Sequence, residues 1–253
     1  MLLRDAFLAT VSSAVLAVSS AALAQSNTFD IQSGNRSIGR DVYTLAKAKQ
    51  GYKLNSRPST HFGGSESSMD SEFKYDDNYA FAVGSSSNMV TQMHTSYTPD
   101  KGRTVLTIGM VQAGVQDSRY LDIKPDFAVM PPYDAGAAQV MLLLATTHPA
   151  AANLYDIVVP GSARSGPPSN ATGEPPVASR PANNAYDALW TKGPDTTGTL
   201  DGKPVQLHTY VLASGNTTWS FVADDTNTLM QLDVSNLNAS YIRAKFKLDA
   251  QSK

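Results

Sequence analysis

The sequence contains no cysteine. This excludes disulfides, thiolate metal ligands and a lipid-modified N-terminal cysteine. Histidine is scarce as well: His61, His94, His148 and His208 are the only four, and the closest two stand 33 positions apart. Neither an HxH nor an HExxH metal cluster can be drawn from them. An excess of charge of one sign is also missing, because 20 basic and 22 acidic residues are scattered to a net −2. Without a basic run or stripe, the chain lacks the footprint of a nucleic-acid binder and has no electrostatic pull toward an anionic membrane. No G-x-S-x-G elbow is complete near Gly34 or Gly84, and no Gly-rich loop is placed to cradle a phosphate.

Carboxylates do occur in pairs, at Asp76-Asp77 and Asp224-Asp225. Acid–base catalysis needs carboxyls opposed across a substrate, whereas neighbours on a strand point to opposite faces. The run 224–227 (DDTN) reads more simply as a hairpin turn whose side chains bond their own backbone. Its oxygens would also suit a calcium ion. These residues call for no catalytic group, no metal and no cofactor, and the chain is read as a non-enzyme.

What is present begins at the N-terminus. Arg4 precedes an apolar run over 6–18, and the string Ala21-Ala22-Leu23-Ala24 stands before Gln25. A basic start, a short apolar core and an A-x-A end are the marks of a secretory signal peptide. Residues 1–24 are therefore expected to be removed, leaving a periplasmic or secreted chain with no membrane span. The 229 residues that follow, 253 less 24, suffice for a single domain standing on its core without covalent staples.

From Phe29 to Ile123 the text alternates strand and turn. Candidate strands cover 37–46, 72–83, 89–97, 104–111 and 115–123, punctuated by turns such as 33–36 (SGNR) and 99–102 (PDKG). Short β-branched and aromatic runs between Gly, Asn and Asp turns predict an antiparallel meander. Residues 134–147 (DAGAAQVMLLLATT) break this rhythm, with Asp134 as N-cap and His148-Pro149 at the end. Val140 to Leu144 are consecutive apolar residues, and a helix apolar on every side is buried.

Residues 157–159 read as a strand, and 161–184 hold five prolines and no aromatic residue. Such a segment buries too little to offset its ordering entropy and is expected to be a mobile loop. Beyond it, Val205, Leu207, Thr209 and Val211 alternate with Gln206, His208 and Tyr210. Ile242, Ala244, Phe246 and Leu248 alternate with Tyr241, Arg243, Lys245 and Lys247. Both predict strands with one dry and one wet face, His208 lying on the wet one.

The section from Gly202-Lys203-Pro204-Val205 through Tyr210, Trp219-Ser220-Phe221 and Asp224-Asp225 to Tyr241-Ile242-Arg243 resembles bacterial envelope proteins with the lipoprotein-carrier-like (LolA/LolB-like) half-barrel. That resemblance implies a curved antiparallel sheet wrapped around a helical plug, with a hydrophobic concavity for acyl chains. The expected fold class is mainly β (α+β): a curved antiparallel sheet or half-barrel with one buried apolar helix near 134–147. The expected function is binding of a hydrophobic ligand, such as a lipid or acyl chain. Val140, Leu143 and Leu144 of the helix, with Trp219 and Phe221 of the sheet, are its candidate contacts. The alternatives are an envelope interaction or assembly protein without a small ligand, and an exported hydrolase with an unrecognised site.

Overall fold

The computed structural model describes residues 25–62, 64–160 and 185–249. The expected signal peptide (1–24) and the Pro-rich segment (161–184) lie outside the described residues. Among the described residues, eighteen strands share one curved sheet, with one α-helix against it, so the fold is mainly β as the alternation predicts.

The N-terminal half is a meander. β1 (Gln25–Ser33) pairs with β2 (Arg36–Lys47), which pairs with both β3 (Tyr52–Ser56) and β4 (Ser59–Phe62). Arg57-Pro58 splits these two, because proline has no amide hydrogen to give a ladder. β5 (Ser65–Tyr75), β6 (Phe81–Asn88), β7 (Met93–Pro99), β8 (Val105–Gln112) and β9 (Val115–Asp122) follow in order, each antiparallel to the last. The single strand expected over 72–83 is two strands. Asp76 Oδ1 accepts from the amides of Asn78 and Ala80, both at 2.9 Å, and turns the chain between them.

The C-terminal half starts at the sheet's other edge. β10 (Phe127–Val129) runs parallel to β11 (Leu154–Val158), the one parallel pair in an otherwise antiparallel sheet among the described residues. β12 (Ala185–Lys192) and β13 (Thr196–Leu200) both pair with β14 (Lys203–Ser214), split by Gly193-Pro194. β15 (Thr217–Asp224), β16 (Leu229–Val234) and β17 (Ala239–Arg243) complete this meander, and β17 pairs with β1 to zip the halves together.

The helix α1 (Ala135–Thr147) packs against β2, β3, β10 and β16. It is buried on every side except at Leu143 and the last turn, as its uniform apolarity requires. Asp134 is the N-cap, accepting from the Ala137 amide at 2.8 Å, and His148 is the C-cap. Gly136 lets the helix start close to the sheet: a Cβ there would stand 2.8 Å from Leu54 Cδ1 and 2.9 Å from Tyr43 Cβ. Gln139 ties the helix down, its Oε1 accepting from Leu229 N (2.7 Å) and Tyr43 Oη (3.2 Å) while Nε2 donates to the Asn227 carbonyl (2.8 Å).

Two readings of the last section need correction. The run 241–248 is not one strand: Lys245 at φ 66° turns the chain, and β18 (Phe246–Leu248) folds back to pair with β13. Nor do these strands have one wet face. Tyr210 and Leu212 face the helix side, whereas Leu207, Val222, Met230 and Phe246 form a second small core on the opposite face. Tyr241, expected among the polar residues, is fully buried in the main core.

Candidate functional site

The two edge strands, β9 and β10, are consecutive in the chain and joined by residues 123–126. The curved sheet is therefore closed at one end of its seam by a covalent connection and carries no ladder between β9 and β10. Lys124 reinforces the closed end. Its amide donates to Asp156 Oδ2 (2.6 Å), and its ammonium lies 3.5 Å from Asp156 Oδ1 and pairs with Asp187. Toward the other end the seam stays open, and two clefts lie there.

The larger cleft has a volume of about 420 Å³, within the range typical of small-molecule sites. It exists because α1 covers only part of the inner face of the N-terminal meander. The register places Phe73, Gly84, Tyr97, Ile108 and Arg119 in one row across β5–β9. The next row carries Ser71, Ser86, Thr95, Met110 and Asp117, and Met69, Asn88 and Met93 lie beyond it. Phe73 and Tyr97 are fully buried, whereas Met69, Met93 and Met110 are only half-covered. Three unbranched thioether side chains on an open floor form an adaptable apolar surface. Ser86 Oγ and Tyr97 Oη bond each other at 3.2 Å, and burial pushes the Tyr97 hydroxyl up to about 12.

The smaller cleft, about 220 Å³, belongs to the C-terminal half and is lined by Met130, Trp219, Leu232, Val234 and Tyr241 among others. Pro132 and Tyr133 line both clefts and form the wall between them. Tyr133 sits at φ 66°, a conformation that costs a residue with a side chain about 1 kcal/mol or more.

Beneath that wall lies a buried acid pair. Asp41 Oδ2 accepts from the Ala135 amide (2.7 Å) and Oδ1 from Ser56 Oγ (3.0 Å), so Asp41 and Asp134 both bind the first turn of α1. Both carboxyls are buried. Desolvation and the charge of Asp134 raise Asp41 to about 7. Desolvation likewise raises Asp134, against the pull of its hydrogen bonds. Burial and mutual repulsion both work against ionising the two carboxyls together, while the helix N-terminus favours a single negative charge there. Asp134 Oδ2 has no hydrogen-bond partner among the described residues.

The five residues singled out from the sequence do not converge. Val140 and Leu144 are buried beside a gap of only about 10 Å³, and Leu143 lines a separate hollow of about 130 Å³ with Tyr43 and Gln139. Phe221 is fully buried, its ring 5.2 Å from that of Trp190. Trp219 alone reaches one of the two clefts described above. The residues that do line the larger cleft, Met69, Met93, Met110, Arg119 and Tyr133, carry little signal in the sequence: the inward parity of each methionine on its strand is visible there, and nothing local marks Arg119 or Tyr133.

The polar clusters elsewhere are structural. His208 is held between Asp195 (Nδ1, 2.8 Å) and Asp225 (Nε2, 3.1 Å), so both ring nitrogens face carboxylates and neither is left for a nucleophile. Asp224 Oδ1 accepts from the Thr226 and Thr228 amides at 2.9 Å, the hairpin-turn role expected of it. Among the described residues, no group of three or more His, Asp or Glu is placed to hold a metal ion. No helix among them is long and apolar enough to cross a membrane. Comparison with protein-family models, curated proteins and solved structures gives no significant match.

Proposed function

We propose that this chain is an exported envelope protein, periplasmic or secreted, that holds a hydrophobic ligand such as a lipid or acyl chain in the larger cleft. The observation that carries this reading is the uncovered inner face of β5–β8, where Met69, Met93 and Met110 lie half-exposed beside an open seam. A monomer gains nothing by leaving apolar side chains on a concave surface when a longer helix would cover them, so such a surface marks a binding site. Support also comes from the architecture, a curved sheet around one apolar helix, which is what the resemblance to lipoprotein carriers implies. The chain acts by binding and carries out no chemistry of its own.

A second reading, an assembly protein without a small ligand, draws on β9. This edge strand of eight residues exposes Val115 and Tyr120. Its Asp117, Arg119 and Asp122 are, however, the kind of charges that discourage edge pairing. Displacement of a fluorescent naphthalene sulfonate by lauric acid tests the choice. Wild-type protein is expected to bind the probe and release it to the fatty acid, and Met93→Arg is expected to bind neither. Equal binding by wild type and Met93→Arg would place the ligand elsewhere and sink the assignment.

A further inference from the structure

Resting on the binding reading above, we propose that the larger cleft selects an anionic single-chain amphiphile, its head group held by Arg119. The cleft is apolar along its floor and has one ionised side chain on its lining, at the β9 edge of the seam. The other polar groups are largely spent within the protein. Ser86 and Tyr97 bond each other, and the Asn88 side-chain oxygen accepts from the Val90 (3.0 Å) and Thr91 (2.8 Å) amides.

Arg119 is different. Its only charged neighbour among the described residues is Asp117, with Nε 3.7 Å from Oδ2, beyond hydrogen-bond distance. Its terminal nitrogens donate to no described group, and the side chain is about one-third exposed (34%). A planar guanidinium with free terminal nitrogens offers a two-pronged donor that matches the two oxygens of a carboxylate.

The placement fits an amphiphile. Arg119 stands across from Ile108 in the ladder, and Met110 lies in the next row of the same face. An acyl chain whose head meets Arg119 would cross β8 and β7 over Met110 and Met93 toward Met69. At about 420 Å³ the volume is near the lower end for ligand sites, which favours one chain over two.

Calorimetric titration of the whole purified protein with dodecanoate, dodecanol and acetate tests this. Dodecanoate is expected to bind at least about tenfold more tightly than dodecanol, as a charge-assisted pair would give, and acetate is expected not to bind. Arg119→Gln is expected to remove the preference of dodecanoate over dodecanol, and Arg119→Lys to keep part of it. Equal affinity of wild type for dodecanoate and dodecanol would overturn the head-group assignment and leave the hydrophobic-binding reading standing. So would a preference that survives in Arg119→Gln. Binding of neither amphiphile would overturn both.

Discussion

In the C-terminal half of the sheet, Trp219, Phe221 and Leu232 pack on the main-core side while Leu207, Val222, Met230 and Phe246 pack on the opposite face. In the N-terminal half, the outer face leaves Val111 and Tyr120 exposed, and the inner face beyond Tyr97 is left to half-exposed methionines. Both halves are largely antiparallel and of similar length, yet the C-terminal one adds a second small core on its outer face, whereas the N-terminal one is covered on only part of its inner face. Covering both faces gives rigidity; leaving a concave face open costs apolar exposure that a ligand can recover at about 25 cal/mol per Å² buried. On the proposed binding reading, the C-terminal half holds the frame and the N-terminal half keeps a surface for a ligand.

The largest expected effect tests this division directly. Phe221→Ala should destabilise the fold by about 3–5 kcal/mol, because a fully buried ring leaves a cavity between the sheet and Trp190. Phe246→Ala, which empties the second core, should cost about 3 kcal/mol. Met110→Ala should cost under about 1 kcal/mol, since its site is already open to solvent. Urea denaturation gives all three. A Met110→Ala loss as large as that of Phe221→Ala would mean that the two halves are equally packed.

The acid pair at the head of the helix gives a smaller, pH-dependent effect. Asp41 is raised from 3.8 to about 7 in the folded chain. A raised carboxyl contributes stability that is full below about pH 4 and is lost as the pH rises through about 7. Stability should therefore fall by a few kcal/mol between pH 4 and pH 8 from this source. Asp41→Asn keeps an acceptor for Ala135 and offers Asp134 a donor, so it should flatten that slope. Denaturation midpoints at several pH values measure it, and an unchanged slope in Asp41→Asn would show that the pair is not its source.

The smallest effect concerns the wall between the clefts. Tyr133→Gly relieves a positive φ but removes a ring that both clefts share. Stability should change by no more than about 1 kcal/mol, while amphiphile binding weakens. A variant that binds as wild type would show that the wall plays no part.

The fold was legible where one residue's neighbours in sequence decide its environment. Alternation announced the meander, and the unbroken run Val140–Leu144, with Asp134 before it, announced a buried helix and its cap. Legibility ended where a second layer intervened. Tyr210 and Leu207 read as the wet and dry faces of one strand, but the face assigned to water carries Tyr210 into the main core, and the fold-back of β18 at Lys245 covers the Leu207 face with a second core. The site was less legible than the fold because it is assembled by register. Met69, Met93, Met110 and Arg119 come from four strands, and no spacing rule joins them. Asp41 and the Ala135 amide meet across 94 positions. The helix drew attention to Leu143 and Leu144 because apolar density is visible in sequence; an apolar surface left uncovered is a property of packing.

The most direct test is native mass spectrometry of the protein purified from its native source, followed by organic extraction, beside Met93→Arg prepared in the same way. The expected result is a bound mass on the wild type that extracts as lipid and is absent from the variant. A ligand-free wild-type mass, identical in pattern to the variant's, would contradict the claim that the open half of the sheet is a binding site.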